Sequence, residues 1–254
     1  MNNNTVSIII PYYRKKLYFK KTINSVLKQT HKNYEVILIY DDEDKSDLVF
    51  IKTTLKKIKN SKIIVNQSNL GVASSRNVGI KQSKGKFISF LDADDIWHKD
   101  KLKRQLLFMN KNRISFSFSS YHIINKDGKK LKTIKVPKKL TFKDLLFSCK
   151  IGLSTVMADS MLLKKVKFSK LKTQEDYLLW LQLSKNNINM LGINETLTSW
   201  RKIDNSLSSS IKQKLKDAFQ VYNKHLKLNI FMTLILIVFL SINSLKKRFY
   251  GYNG

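Results

Sequence analysis

The chain of 254 residues contains few of the residues that cross-link or interrupt a fold: one cysteine, two prolines and eight glycines. The single cysteine, Cys149, excludes an internal disulfide framework and a zinc site built on cysteines. The four histidines show no spacing typical of metal ligands. No apolar segment with a small-residue cleavage site follows Met1, so we expect a cytoplasmic protein.

Acidic residues are also scarce in this chain. There are 48 Lys and Arg residues against 18 Asp and Glu residues, which gives a formal net charge of +30. This excess favours an acidic partner, and nucleic acid, anionic lipid and nucleotide phosphates are the candidates. Only six of the basic residues are arginine, the usual bidentate reader of guanine and phosphate, so the composition disfavours nucleic acid.

Strand-like and helix-like segments alternate over the first part of the chain. Apolar runs at 6–11, 35–39, 62–65 and 87–91 alternate with helical spacing at 17–27, 48–58 and 72–81. This alternation predicts crossover units and a mostly parallel sheet. The pattern then becomes mixed, with helices at 98–110, 141–147 and 175–183, β-rich segments at 114–124, 188–191 and 197–200, and a hairpin turn at 126–129. We therefore predict one α/β domain over residues 1–205, with a nucleotide-binding half (1–97) and an acceptor half (98–205).

The C-terminal tail, residues 206–254, has a different composition. Residues 226–242 are almost entirely apolar, and the basic and aromatic residues Lys246, Lys247, Arg248, Tyr250 and Tyr252 follow. Because a spanning helix needs ~20 apolar residues, this run better suits an interfacial or re-entrant helix. We expect it to hold the protein peripherally on the inner face of the cytoplasmic membrane. A helix packed on the domain, or on a second subunit of a homo-oligomer, is the alternative.

Carboxylates follow two of the predicted strands. Asp41 and Asp42 close the second strand, and Asp92, Asp94 and Asp95 close the fourth. The carboxyl ends of parallel strands form the edge at which open α/β folds bind ligands. Carboxylates there suit a divalent cation, a ribose or a sugar hydroxyl. For either group taken alone, an ordinary exposed turn is the alternative.

Two further features suit a nucleotide. Tyr13, just beyond the strand that ends at Pro11, can stack on a flat base, and Asp42 can accept a hydrogen bond from a base N–H. The helix that begins near Val72 carries Arg76 one turn into it, and a helix N-terminus with an arginine suits a diphosphate. Turn chemistry and a capped surface helix are the respective alternatives.

In this order, the motifs resemble the family 2 glycosyltransferases, which have a nucleotide-diphospho-sugar-binding GT-A fold. The resemblance covers about residues 6–208 and rests on Ser7 to Tyr13, Ser25 to Thr30, Asp41-Asp42, Asn69 to Gly79, Asp92 to Asp95, Glu175 to Leu181, and Trp200-Arg201. It implies an inverting, metal-dependent enzyme. Such an enzyme moves a sugar from a nucleotide donor, usually UDP-linked, to a hydroxyl of a cell-surface glycan or lipid-linked acceptor.

The resemblance also implies roles for individual residues. Pro11, Tyr13 and Asp42 would hold the nucleoside, Arg76 would lie near the diphosphate, Asp92 would belong to the metal and ribose motif, Asp94 would bind Mn²⁺ or Mg²⁺, and Asp176 would be the catalytic base. Asp41, Asp95, Glu175, Trp180 and Arg201 would be supporting residues. For Trp180 a core position is favoured over a platform for the sugar.

The chain departs from the family pattern at the nucleoside. It has Asp41-Asp42-Glu43-Asp44 where the family often has Asp-Asp-Gly-Ser, and Arg14 where asparagine is common. These changes weaken the expected preference for uridine. The alternative function is a non-catalytic basic module that binds nucleic acid or anionic membrane, although no base-reading motif supports it.

Overall fold

The computed structural model describes residues 4–203 and 210–249, with side chains up to residue 245. The strands are β1 (Val6–Tyr12), β2 (Tyr34–Tyr40), β3 (Ser61–Val65), β4 (Phe87–Phe90), β5 (Ile96–Trp97), β6 (Phe116–Ile124), β7 (Lys130–Ile134), β8 (Lys139–Leu140), β9 (Met157–Asp159) and β10 (Met190–Arg201). The helices are α1 (Lys16–Leu27), α2 (Leu48–Leu55), α3 (Val72–Gln82), α4 (Lys101–Asn112), α5 (Phe142–Phe147), α6 (Ser160–Lys164), α7 (Glu175–Lys185), α8 (Ile211–Phe219) and α9 (Ile230–Phe249). A 3₁₀ turn lies at Leu153–Thr155 and a π-helical segment at Gln220–His225.

Within the described residues, the strands form one sheet in the order β3-β2-β1-β4-β9-β6-β10-β5, with β7 beside β6 and β8 beside β10. β1 runs parallel to β2 and β4, and β2 runs parallel to β3. β9 is antiparallel to both β4 and β6, and β10 is again parallel to β6. The predicted α/β fold, with a parallel first half, a mixed second half and a C-terminal helix, is confirmed. The domain boundaries stay a prediction, and position 205 lies outside the described residues.

Two hydrophobic layers cover the two faces of the sheet. Along β1, Ile8 and Ile10 pack with residues of α1, α2 and α4, whereas Ile9 packs with residues of α3 and α7. Successive side chains of a strand point to opposite faces, and a central parallel strand is buried on both. This double burial explains why β1 is an uninterrupted apolar run, without the alternation of a half-exposed strand.

The proline expected to stop the first strand lies inside it, since β1 extends to Tyr12. Odd-numbered residues of β1 bond to β4, as in the bond from the Leu91 N–H to the Ile9 carbonyl. β4 itself ends at Phe90, so the missing N–H of Pro11 faces a position where the ladder has already ended.

The two strands predicted at 188–191 and 197–200 are one strand, β10. Its pairing with β6 shifts register between Ile193 and Thr196 and again between Thr196 and Thr198. Such a bulge takes up extra residues without ending the strand. The exposed side chains of Asn194 and Glu195 lie at this bulge. Two adjacent polar residues interrupt the apolar pattern, so the sequence predicts the end of one strand and the start of another.

Helix α4 begins later than predicted, at Lys101. Residues 96–97 are used by β5, which pairs antiparallel with β10, and Asp100 precedes the helix. The tail helix α9 also starts late, at Ile230, because Lys227 adopts a left-handed conformation with φ 58°.

The tail packs on the α7 side of the sheet. Ala218, Val221, Tyr222 and Leu236 belong to that core layer. Phe239 meets Phe147 edge-on at 5.4 Å. Within the described ranges, no helix is both long and apolar enough to cross a membrane. The basic side chains predicted to anchor the tail, Lys246, Lys247 and Arg248, and the residues Tyr250 and Tyr252, lie outside what the structure describes.

Candidate active site

The carboxyl ends of β1, β2 and β4 meet at one edge of the sheet, as their parallel pairing requires. Tyr13 follows β1, Asp42 follows β2, and Asp92 to Asp95 follow β4. The N-termini of α3 and α7 complete this edge by bringing Arg76 and Glu175 to Asp92. The topology therefore gathers side chains from distant parts of the sequence into one site.

Arg76 is the centre of the site. Its Nη2 donates to Asp92 Oδ1 at 2.8 Å, and its Nη1 donates to Glu175 Oε1. The guanidinium lies 5.6 Å from the centre of the Phe168 ring, and the residue is only 4% exposed. A buried guanidinium requires paired carboxylates. Both amino groups of Arg76 are thus engaged in a bridge between two carboxylates, and its predicted place near the diphosphate stays a prediction.

Asp176 follows Glu175 in the first turn of α7 and keeps partial solvent access. Its Oδ1 accepts a hydrogen bond from the Tyr177 N–H at 2.7 Å. The pKa of this carboxyl is raised to about 7, chiefly by burial among protein atoms and next by the neighbouring Glu175, while Arg76 opposes the rise. A carboxyl with this pKa can take up a proton at neutral pH.

Asp92 and Asp94 lie on the open side of the loop after β4. The Asp92 side chain is 31% exposed, and its N–H donates to the Ser154 hydroxyl at 3.1 Å. Asp94 Oδ2 pairs with Lys15 Nζ at 2.8 Å. Burial raises the pKa of Asp94, the Lys15 ammonium opposes that rise, and Asp92 adds to it.

Asp95 and Arg201 support this loop from beneath. The Asp95 carboxyl is buried, and its Oδ1 accepts from the Arg201 N–H at 2.8 Å. Arg201 Nε donates to the Asp94 carbonyl at 2.8 Å, and its Nη1 donates to the carbonyls of Asn125 and Lys126 at 3.0 and 2.9 Å. Both residues therefore fix the backbone of the loop and do not line its open side.

Three consecutive basic residues at and just before the start of α1 pair with three carboxylates, two in the site and one, Asp47, just before α2. Arg14 pairs with Asp42 at 3.3 Å, Lys15 with Asp94 at 2.8 Å, and Lys16 with Asp47 at 3.0 Å. Sequence reasoning treated Arg14 only as a departure from a pattern and missed the two lysines. The signal was the basic run itself, which directly follows a strand that ends beside aspartates.

Of the residues predicted to hold the nucleoside, Tyr13 is exposed, whereas Asp42 and Pro11 are buried. Tyr13 is 42% exposed, and the Arg14 guanidinium lies 5.0 Å from its ring centre, while Asp42 is buried beneath that same guanidinium. Pro11 is buried in β1. Asp41 points elsewhere, because its Oδ1 accepts from Asn66 Nδ2 at 2.7 Å and from the Leu70 N–H at 2.8 Å. Asp41 thus anchors the loop that leads into α3.

Trp180 lies in the core. It is fully buried and meets Phe116 and Phe168 edge-on at 5.0 and 6.4 Å. Phe168 is the ring that contacts the Arg76 guanidinium. Trp180 therefore supports the site through packing, and its ring is not accessible to a sugar.

A buried polar cluster under the site also escaped sequence reasoning. Lys101 is fully buried, and its Nζ donates to Ser89 Oγ at 2.8 Å and to Gln105 Oε1 at 2.5 Å. The ammonium lies 4.1 Å from the centre of the Trp97 ring, and burial lowers the pKa of this lysine. Lysine in the first turn of an amphipathic helix reads as a surface residue, so no sequence signal distinguishes it.

Comparison with known proteins decides the family. Residues 7–172 match the family described as Glycosyl transferase family 2. The chain belongs to glycosyl transferase family 2. Its curated relatives are also glycosyltransferases, so this family member is an enzyme, and the non-catalytic alternative is wrong.

Two relatives match the family 2 enzyme over almost its whole length. The putative teichuronic acid biosynthesis glycosyltransferase TuaG of Bacillus subtilis is 33% identical, and the match covers 96% of this chain and 97% of TuaG. The UDP-Glc:alpha-D-GlcNAc-diphosphoundecaprenol beta-1,3-glucosyltransferase WfgD of Escherichia coli is 35% identical over 100% of this chain and 99% of WfgD.

Solved structures show the same fold. S. aureus TarS 1-349 in complex with UDP-GlcNAc aligns with a TM-score of 0.71 and 20% identity, covering 97% of this chain and 73% of that one. The mannosyltransferase PcManGT from Pyrobaculum calidifontis, in complex with GDP-Man and Mn²⁺, aligns with a TM-score of 0.67 and 11% identity over 97% of this chain and 76% of that one. These likenesses confirm the GT-A fold for this family 2 enzyme.

The raised pKa of Asp176 predicts an unusual pH dependence of stability for the glycosyltransferase. Between pH 4 and pH 7 the folded protein holds a proton that the unfolded chain has lost, so the free energy of unfolding falls as pH rises, by up to about 1.4 kcal/mol per pH unit. Asp176→Asn cannot lose that proton. Its melting temperature should therefore exceed that of the wild type by a larger margin at pH 8 than at pH 4.5, as measured by circular dichroism.

Glu195→Gln controls for the loss of one negative charge, because Glu195 is exposed. A constant difference between Asp176→Asn and wild type across this pH range would contradict the assignment of a raised pKa to Asp176.

Proposed function

We propose that this enzyme transfers a sugar, with inversion, from a UDP-linked donor to a hydroxyl of a lipid-linked saccharide in the assembly of a cell-surface glycan. The observation that carries the proposal is the placement of Asp176, a partly accessible carboxyl with a pKa of about 7, next to Glu175, which the Arg76 bridge joins to Asp92. Relatives support the substrates, since WfgD is named for UDP-Glc and a diphosphoundecaprenol acceptor, and TarS is solved with UDP-GlcNAc.

Inversion requires one carboxylate and no protein nucleophile. The deprotonated Asp176 accepts the proton of the acceptor hydroxyl as its oxygen attacks the anomeric carbon from the face opposite the leaving diphosphate. The bond from the anomeric carbon to the diphosphate oxygen breaks with its electron pair leaving on the diphosphate. Tyr13 and Asp42 hold the nucleoside. Arg76 fixes the positions of Asp92 and Glu175 relative to each other through its two ion pairs.

The carboxylates suit a divalent cation whose remaining ligands would come from the phosphates of the donor. Among the described residues, no group of three or more His, Cys, Asp or Glu side chains is arranged to hold a metal ion. Mg²⁺ commonly needs only one or two protein carboxylates when substrate phosphates supply other ligands. Asp94 and Asp92 would meet that need, and because burial and the neighbouring Asp92 raise the pKa of Asp94 against the effect of Lys15, a bound cation would favour the ionised form of this carboxyl. When bound, Mn²⁺ or Mg²⁺ would neutralise the departing diphosphate.

The base assignment predicts the effect of Asp176→Asn on catalysis. Sugar transfer from UDP-sugars, followed by released UDP, should fall by about 100- to 10,000-fold, because the acceptor proton has no carboxylate to receive it. UDP binding measured by calorimetry should be unchanged, and EDTA should abolish the wild-type rate. Asp127→Asn, on the exposed β6–β7 turn, is the matched control. Full turnover in Asp176→Asn would show that another group is the base.

The Lys15–Asp94 pair predicts how the cation binds. Because the Lys15 ammonium competes for the same carboxylate, Lys15→Met should bind Mn²⁺ about tenfold more tightly, equivalent to ~1.4 kcal/mol. The readout is the thermal shift of the donor-free enzyme on titration with Mn²⁺, which does not depend on activity. Lys16→Met, which breaks the pair with Asp47, is the control. Equal or weaker Mn²⁺ binding in Lys15→Met would contradict a cation site at Asp94.

The tail supports peripheral contact with an anionic membrane. The outward face of α9 exposes Phe231, Leu234 and Val238 at 75%, 53% and 56% of their surface. The exposed Lys224 and Lys227 lie just before that helix. Apolar burial in the interface together with lysines near the lipid surface is the arrangement of interfacial helices.

Replacing these three apolar residues tests lipid binding. The triple variant Phe231→Ser, Leu234→Ser, Val238→Ser should lose sedimentation with phosphatidylglycerol vesicles and keep UDP binding. Truncation after Lys224 is a poorer test, since it removes Leu236 from the core. The matched control replaces Leu17, Val49 and Leu107, three other exposed apolar residues, by serine. If the wild type does not bind vesicles, and the triple variant differs from it in oligomeric state, then the exposed face of α9 is a subunit interface and not a membrane contact.

A further inference from the structure

Residues just before Asp176 are held by the C-terminal tail. Asp217, on α8, is 2% exposed, and its Oδ2 accepts from both the N–H and the hydroxyl of Thr173 at 2.8 Å. Asp217 Oδ1 accepts from Gln213 Nε2 at 2.9 Å, so the carboxylate itself is fixed on its own helix. Next to Thr173, Gln174 Nε2 donates to the Lys214 carbonyl at 3.4 Å.

The residue just after Asp176 is held by the same tail. The hydroxyls of Tyr177 and Tyr222 lie 2.8 Å apart and are both buried. The Tyr177 hydroxyl also lies 2.6 Å from the Leu145 carbonyl and the Tyr222 hydroxyl 2.7 Å from the Leu146 carbonyl, so the two phenolic protons are shared among three short contacts. This pair joins α7, the π-helical segment and the end of α5. Contacts from residues 210–222 therefore bracket Glu175 and Asp176 on both sides.

The start of α7 needs external support. Gln174 has a left-handed backbone with φ 62° and makes no side-chain cap to the helix. A non-glycine residue in that region carries backbone strain. Two adjacent carboxylates, Glu175 and Asp176, add mutual repulsion there. Left to itself, this turn would relax, and the carboxyl of Asp176 would move away from the bridge centred on Arg76.

We propose that residues 210–222 are a working part of the transferase site, with Asp217 and Tyr222 as positioning residues that hold Asp176 through Thr173 and Tyr177. This inference rests on Asp176 acting as the base. The family match ends at residue 172, before Asp176 and before this segment. The two parts of the tail thus differ in role. The contacts of α8 and the π-helical segment orient the base, whereas the outward side of α9 is exposed.

Kinetics of Asp217→Ala and Tyr222→Phe test the proposal. Each should lower kcat, by about 10- to 100-fold for Asp217→Ala, because displacement of a reacting group by ~1 Å has effects of that size. The donor KM and the affinity for UDP should stay at the wild-type values, since the donor residues lie on other elements. Asp217→Ala and Thr173→Val combined should cost no more than the larger single change, because both remove the same contact.

The matched controls are Lys216→Ala, on the exposed side of α8, and Tyr34→Phe, which removes a hydroxyl bonded to the Val26 carbonyl far from α7. Both should keep the wild-type kcat. Unchanged kcat in Asp217→Ala and Tyr222→Phe, with an active wild type, would overturn the proposal. Parallel losses of kcat and UDP affinity would do the same, because they would indicate general loosening.

Amide hydrogen exchange of residues 173–179 separates this inference from the proposed function. These amides should exchange faster in Asp217→Ala and at the wild-type rate in Lys216→Ala. Unchanged exchange in Asp217→Ala overturns the positioning role. A wild type that transfers no sugar from any nucleotide donor, with exchange accelerated as expected, instead refutes the proposed function and leaves the mechanical link between tail and α7 standing.

Discussion

A buried ion bridge centred on Arg76 connects the loop after β4 to the start of α7, the two parts of the chain that form the site. The guanidinium joins Asp92, just after β4, to Glu175, at the start of α7, across 82 residues of intervening sequence that include the antiparallel strand β9. Removing one member of a buried charge pair costs about 3–5 kcal/mol, because the remaining charge has no solvent to stabilise it. The end of β4 and the start of α7 therefore keep a fixed separation, which the proposed reaction between two substrates would require.

The parallel half of the fold could be read from sequence because its strands are long, buried on both faces and bounded by helices. β1 to β4 and the helices between them follow the predicted order. Strands of two or three residues, such as β5, β8 and β9, are too short to show a period, and partners far away in sequence define them. For the same reason the bulge in β10 looked like the gap between two strands.

The sequence predicts which residues belong to the candidate site, but it does not predict the contacts that the structure gives them. Aspartates at strand ends and a carboxyl pair at a helix start are visible as local patterns. Which of them face the cleft is decided by tertiary partners: Asn66 turns Asp41 away, and the backbone of Arg201 holds Asp95 beneath the loop. Long-range pairs such as Thr173 with Asp217 leave no local trace at all.

The basic run Arg14-Lys15-Lys16 has a consequence for the order of events in the cleft. Three carboxylates are paired with three successive residues at the junction of β1 and α1, and Arg14 holds a left-handed backbone with φ 49°. A shift of that junction moves all three cations together, so the carboxylates lose their counter-ions in one step. Under the proposed function, a nucleoside that displaced Arg14 from Tyr13 would thereby also uncover Asp94, and loading of the donor would be a concerted exchange of one set of charges for another.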